Sequence, residues 1–322
     1  MGKFHMYVAS CVPDGGIYHY IFENGEMYEI SKTAVDRPMY LALHSNRMYA
    51  VLREPFAENA NSGVCCWDLD AEGNLYNQSE IISTGGRCGC HLLATDDRVY
   101  VANYLSGSVC MLPEGKMVVH SGAGVDPLRQ GAPHVHFVGS TPDGKWLLAV
   151  DLGVDAIYMY SPDLQISKRI PMPAGHGCRH LAWSENGQYC FCVNELASSL
   201  SALRYAQDEL VLLDTISLLP DEFQCNNTAA AIRVVGERIY ISIRGCDQIV
   251  TLQHHEGVFT NPILFSAEGK SPRDINVIGN MLFCANENSD SITAFELRED
   301  GLQSMHIQHS VPKPLCIVFG EK

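Results

Sequence analysis

Arg179-His180 is followed one short segment later by Asn194-Glu195, and similar groupings return as Arg273-Asp274 with Asn286-Glu287 and as His134-Val135-His136 with Asp151. Arg244 and the pair Arg53-Glu54 stand at comparable places in further segments, and His91 follows Gly89-Cys90 much as His180 follows Cys178-Arg179. These residue types carry two kinds of chemistry. Arginine presents a planar fork of N–H donors that matches carboxylate and phosphate. Histidine and glutamate are side chains that a cleft can tune for proton transfer near neutral pH. Gathered in one place, they would hold a small anion and move a proton on it.

A repeat supplies the means of gathering them. A short inward segment recurs seven times, as Pro38-Met39-Tyr40-Leu41, Gly89-Cys90-His91-Leu92, His134-Val135-His136-Phe137, Cys178-Arg179-His180-Leu181, Ala229-Ala230-Ala231-Ile232, Pro272-Arg273-Asp274-Ile275 and Pro314-Leu315-Cys316-Ile317, at intervals of 42 to 51 residues. A second apolar run follows each after a turn, as in Tyr100-Val101-Ala102-Asn103 and Phe191-Cys192-Val193-Asn194. A third run and a more polar fourth complete the unit. β-branched and aromatic residues dominate these runs, which read as strands. Pro142-Asp143-Gly144 and Glu185-Asn186-Gly187 are hairpin-turn signals.

One such unit is too small to bury a core, so it must stack on its neighbours. Four strands per unit and a period of ~40–50 residues predict an all-β, seven-bladed β-propeller with four-stranded blades, rather than a solenoid. One domain would use residues 1–322. The last inward strand, 315–319, has no partners after it, and the runs 6–9, 16–20 and 27–30 are the missing ones. The N-terminal strands are therefore expected to pair with the C-terminal strand and close the ring, leaving no long unpaired edge.

In each hairpin the start of the first strand and the end of the second lie together, opposite the turn. Stacked around an axis, these ends converge on one mouth of a central channel. That mouth is expected to collect Arg53, Arg179, Arg244 and Arg273, the imidazoles of His91, His134, His136 and His180, Asn194, and the acids Glu195 and Asp151. Any one of them could instead be an ion-pair tie between blades. The set argues otherwise, because a structural tie would repeat one residue type, whereas tyrosine, histidine, alanine, aspartate and cysteine alternate here.

Composition narrows the partners. The formal net charge of −15 disfavours nucleic acid and anionic membrane surfaces, and makes a local cluster of arginines conspicuous. No apolar run of about 18 residues is present, so no membrane-spanning helix is expected. Thirteen cysteines, an odd number, several of them at strand positions, point to free thiols in a reducing cytoplasm. His134 and His136 could pair on a metal, but no third ligand is in register, so no metal or other cofactor is expected. No Gly-x-Ser-x-Gly elbow is present, which argues against a serine esterase. His254-His255 reads as an exposed turn.

Gly131-Ala132-Pro133-His134-Val135-His136, the run Pro142-Asp143-Gly144-Lys145-Trp146 leading to Asp151-Leu152-Gly153, Gly177-Cys178-Arg179-His180 with Val193-Asn194-Glu195, Arg244-Gly245 and Pro272-Arg273-Asp274 together resemble the lactonase family of seven-bladed propellers. That family includes propeller-type 6-phosphogluconolactonases and fungal carboxymuconate lactonising enzymes. The resemblance covers essentially the whole chain. It implies that a histidine, two arginines and a glutamate act at the mouth, matched here by His136, Arg179, Arg244 and Glu195. It further implies no metal. The expected activity is hydrolysis of a small anionic sugar lactone, 6-phosphogluconolactone, with Glu195 or His136 as general base, Arg179 or Arg244 on the oxyanion, and Arg273 on the phosphate. A lactonising cycloisomerase and a non-catalytic binding platform are the alternatives.

Overall fold

The computed structural model describes residues 3–223 and 226–320. Seven antiparallel sheets follow one another around a ring, and consecutive inner strands pack side by side: Pro38–His44, Gly89–Ala94, Val135–Ser140, Cys178–Trp183, Thr228–Val235, Pro272–Ile278 and Pro314–Gly320. They are numbered here as blades 1 to 7. Blade 7 takes its inner strand from the C-terminal end and its other three, Phe4–Ser10, Gly16–Glu23 and Glu26–Thr33, from the N-terminal end. The expected closure is thus present. In blades 1 and 5 the fourth strand is broken into two short pieces, Leu75–Tyr76 with Ile82–Arg87 and Val258–Phe259 with Ile263–Ser266.

Apolar side chains alternate between the two faces of each sheet and fill the space between blades. Leu148, Val150, Ile157 and Met159 of blade 3, for example, pack with Cys178, Leu181, Cys190 and Cys192 of blade 4. Every described cysteine is a free thiol, most of them buried as small hydrophobes. Among the described residues no helix is long and apolar enough to cross a membrane.

Two polar devices repeat with the blades. Asp155, Asp247 and Asp290 each adopt a left-handed conformation (φ 46, 57 and 51°), which aspartate tolerates better than most residues. Their carboxylates accept the N–H of the residue just before the next inner strand, Gly177, Ser271 and Lys313, at 2.7, 2.8 and 2.8 Å. Blades 3, 5 and 6 are thereby hooked to their successors. The second device ends the second strand: Asn103, Asn194 and Asn286 are fully buried and donate to hydroxyls of the third strand, Ser108, Ser199 and Thr293, at 3.4, 2.9 and 3.0 Å.

A third regularity positions the mouth. At the start of every inner strand the ladder skips a residue. In blade 4 Cys178 pairs with Asn194 and His180 with Val193, leaving Arg179 unpaired. In blade 3 Val135 pairs with Asp151 and Phe137 with Val150, leaving His136. In blade 6 Arg273 is skipped between Pro272 and Asp274. Met39, Cys90 and Leu315 are skipped likewise in blades 1, 2 and 7, and in blade 5 the ladder passes over Ala230-Ala231. These are β-bulges, which kink a strand and re-aim one side chain. They also correct the repeat alignment: Phe137, not His136, occupies the place of Tyr40, His91 and His180.

Candidate active site

The bulges turn their side chains inward to a narrow pocket lined by Met39, Cys90, His136, Arg179, Arg273 and Leu315 from the skipped positions, with Tyr40, His180 and Asp274 from the adjacent ones. At its edge the Glu195 carboxylate gathers three arginines. Its Oε2 accepts from Arg179 Nε at 2.9 Å and from Arg244 Nη2 at 3.0 Å, and its Oε1 accepts from Arg129 Nη2 at 2.6 Å. Burial would push this carboxyl up, but the charges of Arg244 and Arg179 hold it well below the usual carboxylate range. Glu195 is therefore ionised, and a carboxylate so stabilised is a weak base.

Arg179 is almost wholly buried, and its Nη1 also donates to the Ala230 carbonyl at 2.7 Å. Burial, with the Arg244 charge next, brings it down to about 10, so it remains a cation at neutral pH. Arg244 keeps one buried donor, Nε, without a partner among the described residues. Blade 6 echoes the arrangement more loosely, with Arg273 Nη1 3.4 Å from Glu287 Oε2.

Beneath the arginines lie three imidazoles. The His180 ring centroid is 5.2 Å from those of both His136 and His91, and its Nε2 meets Arg179 Nη1 at 3.2 Å. His91 is sandwiched between Tyr40 at 4.1 Å and Phe137 at 4.3 Å. Burial first, then the nearby arginine charges, push all three imidazoles well below their ordinary range, so each is neutral at pH 7. Nδ1 of His136 and of His91 is buried without a hydrogen-bond partner among the described residues.

A family model described as a lactonase, seven-bladed β-propeller, matches residues 5–319. The chain belongs to this lactonase family. It is 28% identical over 350 residues to a 6-phosphogluconolactonase of Bacillus subtilis, covering 99% of each chain. A solved structure from Lactobacillus plantarum is 26% identical with a TM-score of 0.90, over 99% of this chain and 100% of that one. The periplasmic gluconolactonase of Pseudomonas aeruginosa, at 24% identity and a TM-score of 0.89 over 99% of both chains, shares the fold.

Within this lactonase scaffold the residues expected at the mouth separate into three groups. His136, Arg179, Arg244 and Glu195 form one cluster, with His180 and His91 packed against it and Arg273 on the same pocket. His134 lies at the rim, stacked on Tyr104 at 4.5 Å, and Arg53 is exposed, its charge felt with that of Arg273 by the thiols of Cys11 and Cys88. Asp151 and Asn194 are corrections. Both are fully buried, and their polar atoms are already engaged. Asp151 accepts from His134 N–H at 2.7 Å and Gly153 N–H at 2.9 Å and faces His120 Nδ1 at 2.6 Å, while Asn194 donates to Ser199 and Ser201, each at 2.9 Å. Neither can grip a ligand. His254 is also buried, in strand Gln248–His255, and only His255 is exposed.

Arg129 and Tyr40 escaped the sequence reading. Arg129 sits in the loop between blades 2 and 3, outside the repeat. Its only sequence signal is a lone cation in the otherwise uncharged stretch between Asp126 and Asp143 that carries the two histidines. Tyr40 occupies the repeat's own third position but has a type that reads as core.

Proposed function

We propose that this lactonase-family protein hydrolyses an anionic sugar lactone, with 6-phosphogluconolactone as the substrate. The observation that carries the reading is the neutral His136, its buried Nδ1 without a hydrogen-bond partner among the described residues, beside a buried arginine cluster in which Arg244 Nε is likewise unpartnered. In this reading His136 takes a proton from water as the oxygen bonds to the lactone carbonyl carbon. Arg244, with Arg179, stabilises the oxyanion. The ring C–O bond then breaks, and the His136 proton passes to the departing hydroxyl. Glu195, paired with three arginines, orients them and offsets their charge, and in this reading the unpartnered His136 is the base. Arg273, which lines the pocket, is one of the cations that would hold the phosphate. The name of the Bacillus subtilis relative supports this substrate.

Freshly generated 6-phosphoglucono-δ-lactone, assayed beside glucono-δ-lactone with spontaneous hydrolysis subtracted, tests the reading. Acceleration with gain of one water in the product mass is expected. Turnover of an unsaturated dicarboxylate without mass change would instead mark a cycloisomerase. No turnover of any of them by folded protein would leave a binding platform.

A further inference from the structure

The three arginines on Glu195 are not equivalent. Arg179 and Arg244 share Oε2, have side-chain exposures of 2% and 15%, and each also reaches a backbone carbonyl of blade 5, at 2.7 and 3.5 Å. Arg129 holds Oε1 alone, and its side chain is 40% exposed. Among the described residues its one other side-chain partner is the Tyr104 hydroxyl on the rim.

The loop that carries Arg129 is fixed at its foot and open at its tip. Gln130 Nε2 donates to Asp155 Oδ2 at 2.8 Å and to the Leu152 carbonyl at 2.9 Å, and Asp126 Oδ1 receives the N–H groups of Leu128 and Arg129 at 2.9 and 3.1 Å. Leu128, next to Arg129, is 92% exposed. The Arg129 Cα is therefore held in place while its long side chain can reorient through its own torsions.

Resting on the lactonase reading, we propose that Arg129 is the residue that selects anionic lactones. Its guanidinium leaves Oε1 of Glu195 and closes on the anionic group of the arriving substrate. Three cations face one carboxylate in this cluster, so an incoming anion meets surplus positive charge. The exchange replaces one ion pair with another, and a phosphate offers the guanidinium a bidentate partner. A neutral lactone offers no such exchange, so Arg129 would stay on Glu195 across the mouth.

The test uses the full-length protein, Arg129→Gln and Arg129→Lys, each checked for native fold by circular dichroism. Calorimetric titration with inorganic phosphate reads anion binding without turnover, and kcat/KM on the phosphorylated and plain lactones reads selection. Arg129→Gln is expected to weaken phosphate ~10-fold or more and to cut the kcat/KM preference for the phosphorylated lactone by a similar factor, with part of both restored in Arg129→Lys. Equal losses on both lactones with phosphate affinity retained would overturn the inference, leaving Arg129 a brace. So would a wild type that binds no phosphate. Phosphate binding that depends on Arg129 without any lactone turnover would overturn the lactonase reading alone.

Discussion

Asp151 Oδ2 and His120 Nδ1 stand 2.6 Å apart with neither side chain exposed. His120 Nε2 goes on to the Tyr160 hydroxyl, so the chain leaving blade 2 is tied into the interior of blade 3. Asp151→Asn keeps an acceptor for the His134 and Gly153 amides but removes the charge facing His120. A loss of about 1.5–3 kcal/mol in unfolding free energy is expected, the scale of a buried hydrogen bond to a charged group. Turnover per folded molecule should persist, since Asp151 does not reach the pocket. Urea titration beside an active-site assay checks both, and lost activity at unchanged stability would return Asp151 to the mouth.

Stability should decline with acid earlier than carboxylates alone would cause. His91, His136 and His180 are neutral when folded to well below 6.5, whereas in the unfolded chain each takes a proton near 6.5. The unfolded state then binds more protons, so stability is intact above 6.5 and falls below it, by up to about 1.4 kcal/mol per pH unit for each imidazole. Glu195, held below its ordinary 4.5, adds a further decline under that pH. In His91→Phe, where the new ring would stack between Tyr40 and Phe137, the slope below pH 6.5 should drop by one imidazole's share. An unchanged slope would show that His91 does not titrate this way.

Glu195→Gln separates a clamp from a base. The substitution leaves three arginines without their common carboxylate, and kcat/KM should fall ~10²–10³-fold, the scale of losing one preorganised electrostatic partner. Glu195 also favours the protonated form of His136. Its removal should therefore shift the acid limb of kcat/KM to lower pH. If Glu195 were the base, the acid limb would vanish instead.

Gly269 tests the buried asparagine device. A Cβ there would lie 2.2 Å from Asn286 Cγ and 2.4 Å from its Nδ2. Gly269→Ala is expected to cost about 1–3 kcal/mol through overpacking. The thermal midpoint reports it, and no change would mean that Asn286 can move aside.

Strand order and ring closure were legible because apolar runs repeat along the chain and one set lacked partners. The bulges were not, since a skipped ladder position leaves no residue signature, and His134-Val135-His136 aligned one place early for that reason. Asp151 and Asn194 were misplaced although a clue was present. Asn103, Asp151, Asn194 and Asn286 end the second strand in four blades, and such sameness marks a tie rather than a contact with substrate. Arg129 reaches Glu195 from a loop outside the repeat, where periodicity says nothing.

The ring of skipped residues has two unlike halves. Leu315, Met39 and Cys90 are consecutive around the axis, and His136, Arg179, Ala230 and Arg273 complete the circle. A molecule entering from solvent therefore meets an oily arc and a polar arc, whose charges are those of Arg179 and Arg273. Such a rim is a compass. A ring with one polar and one apolar edge would settle across it in one orientation and be turned away in the other.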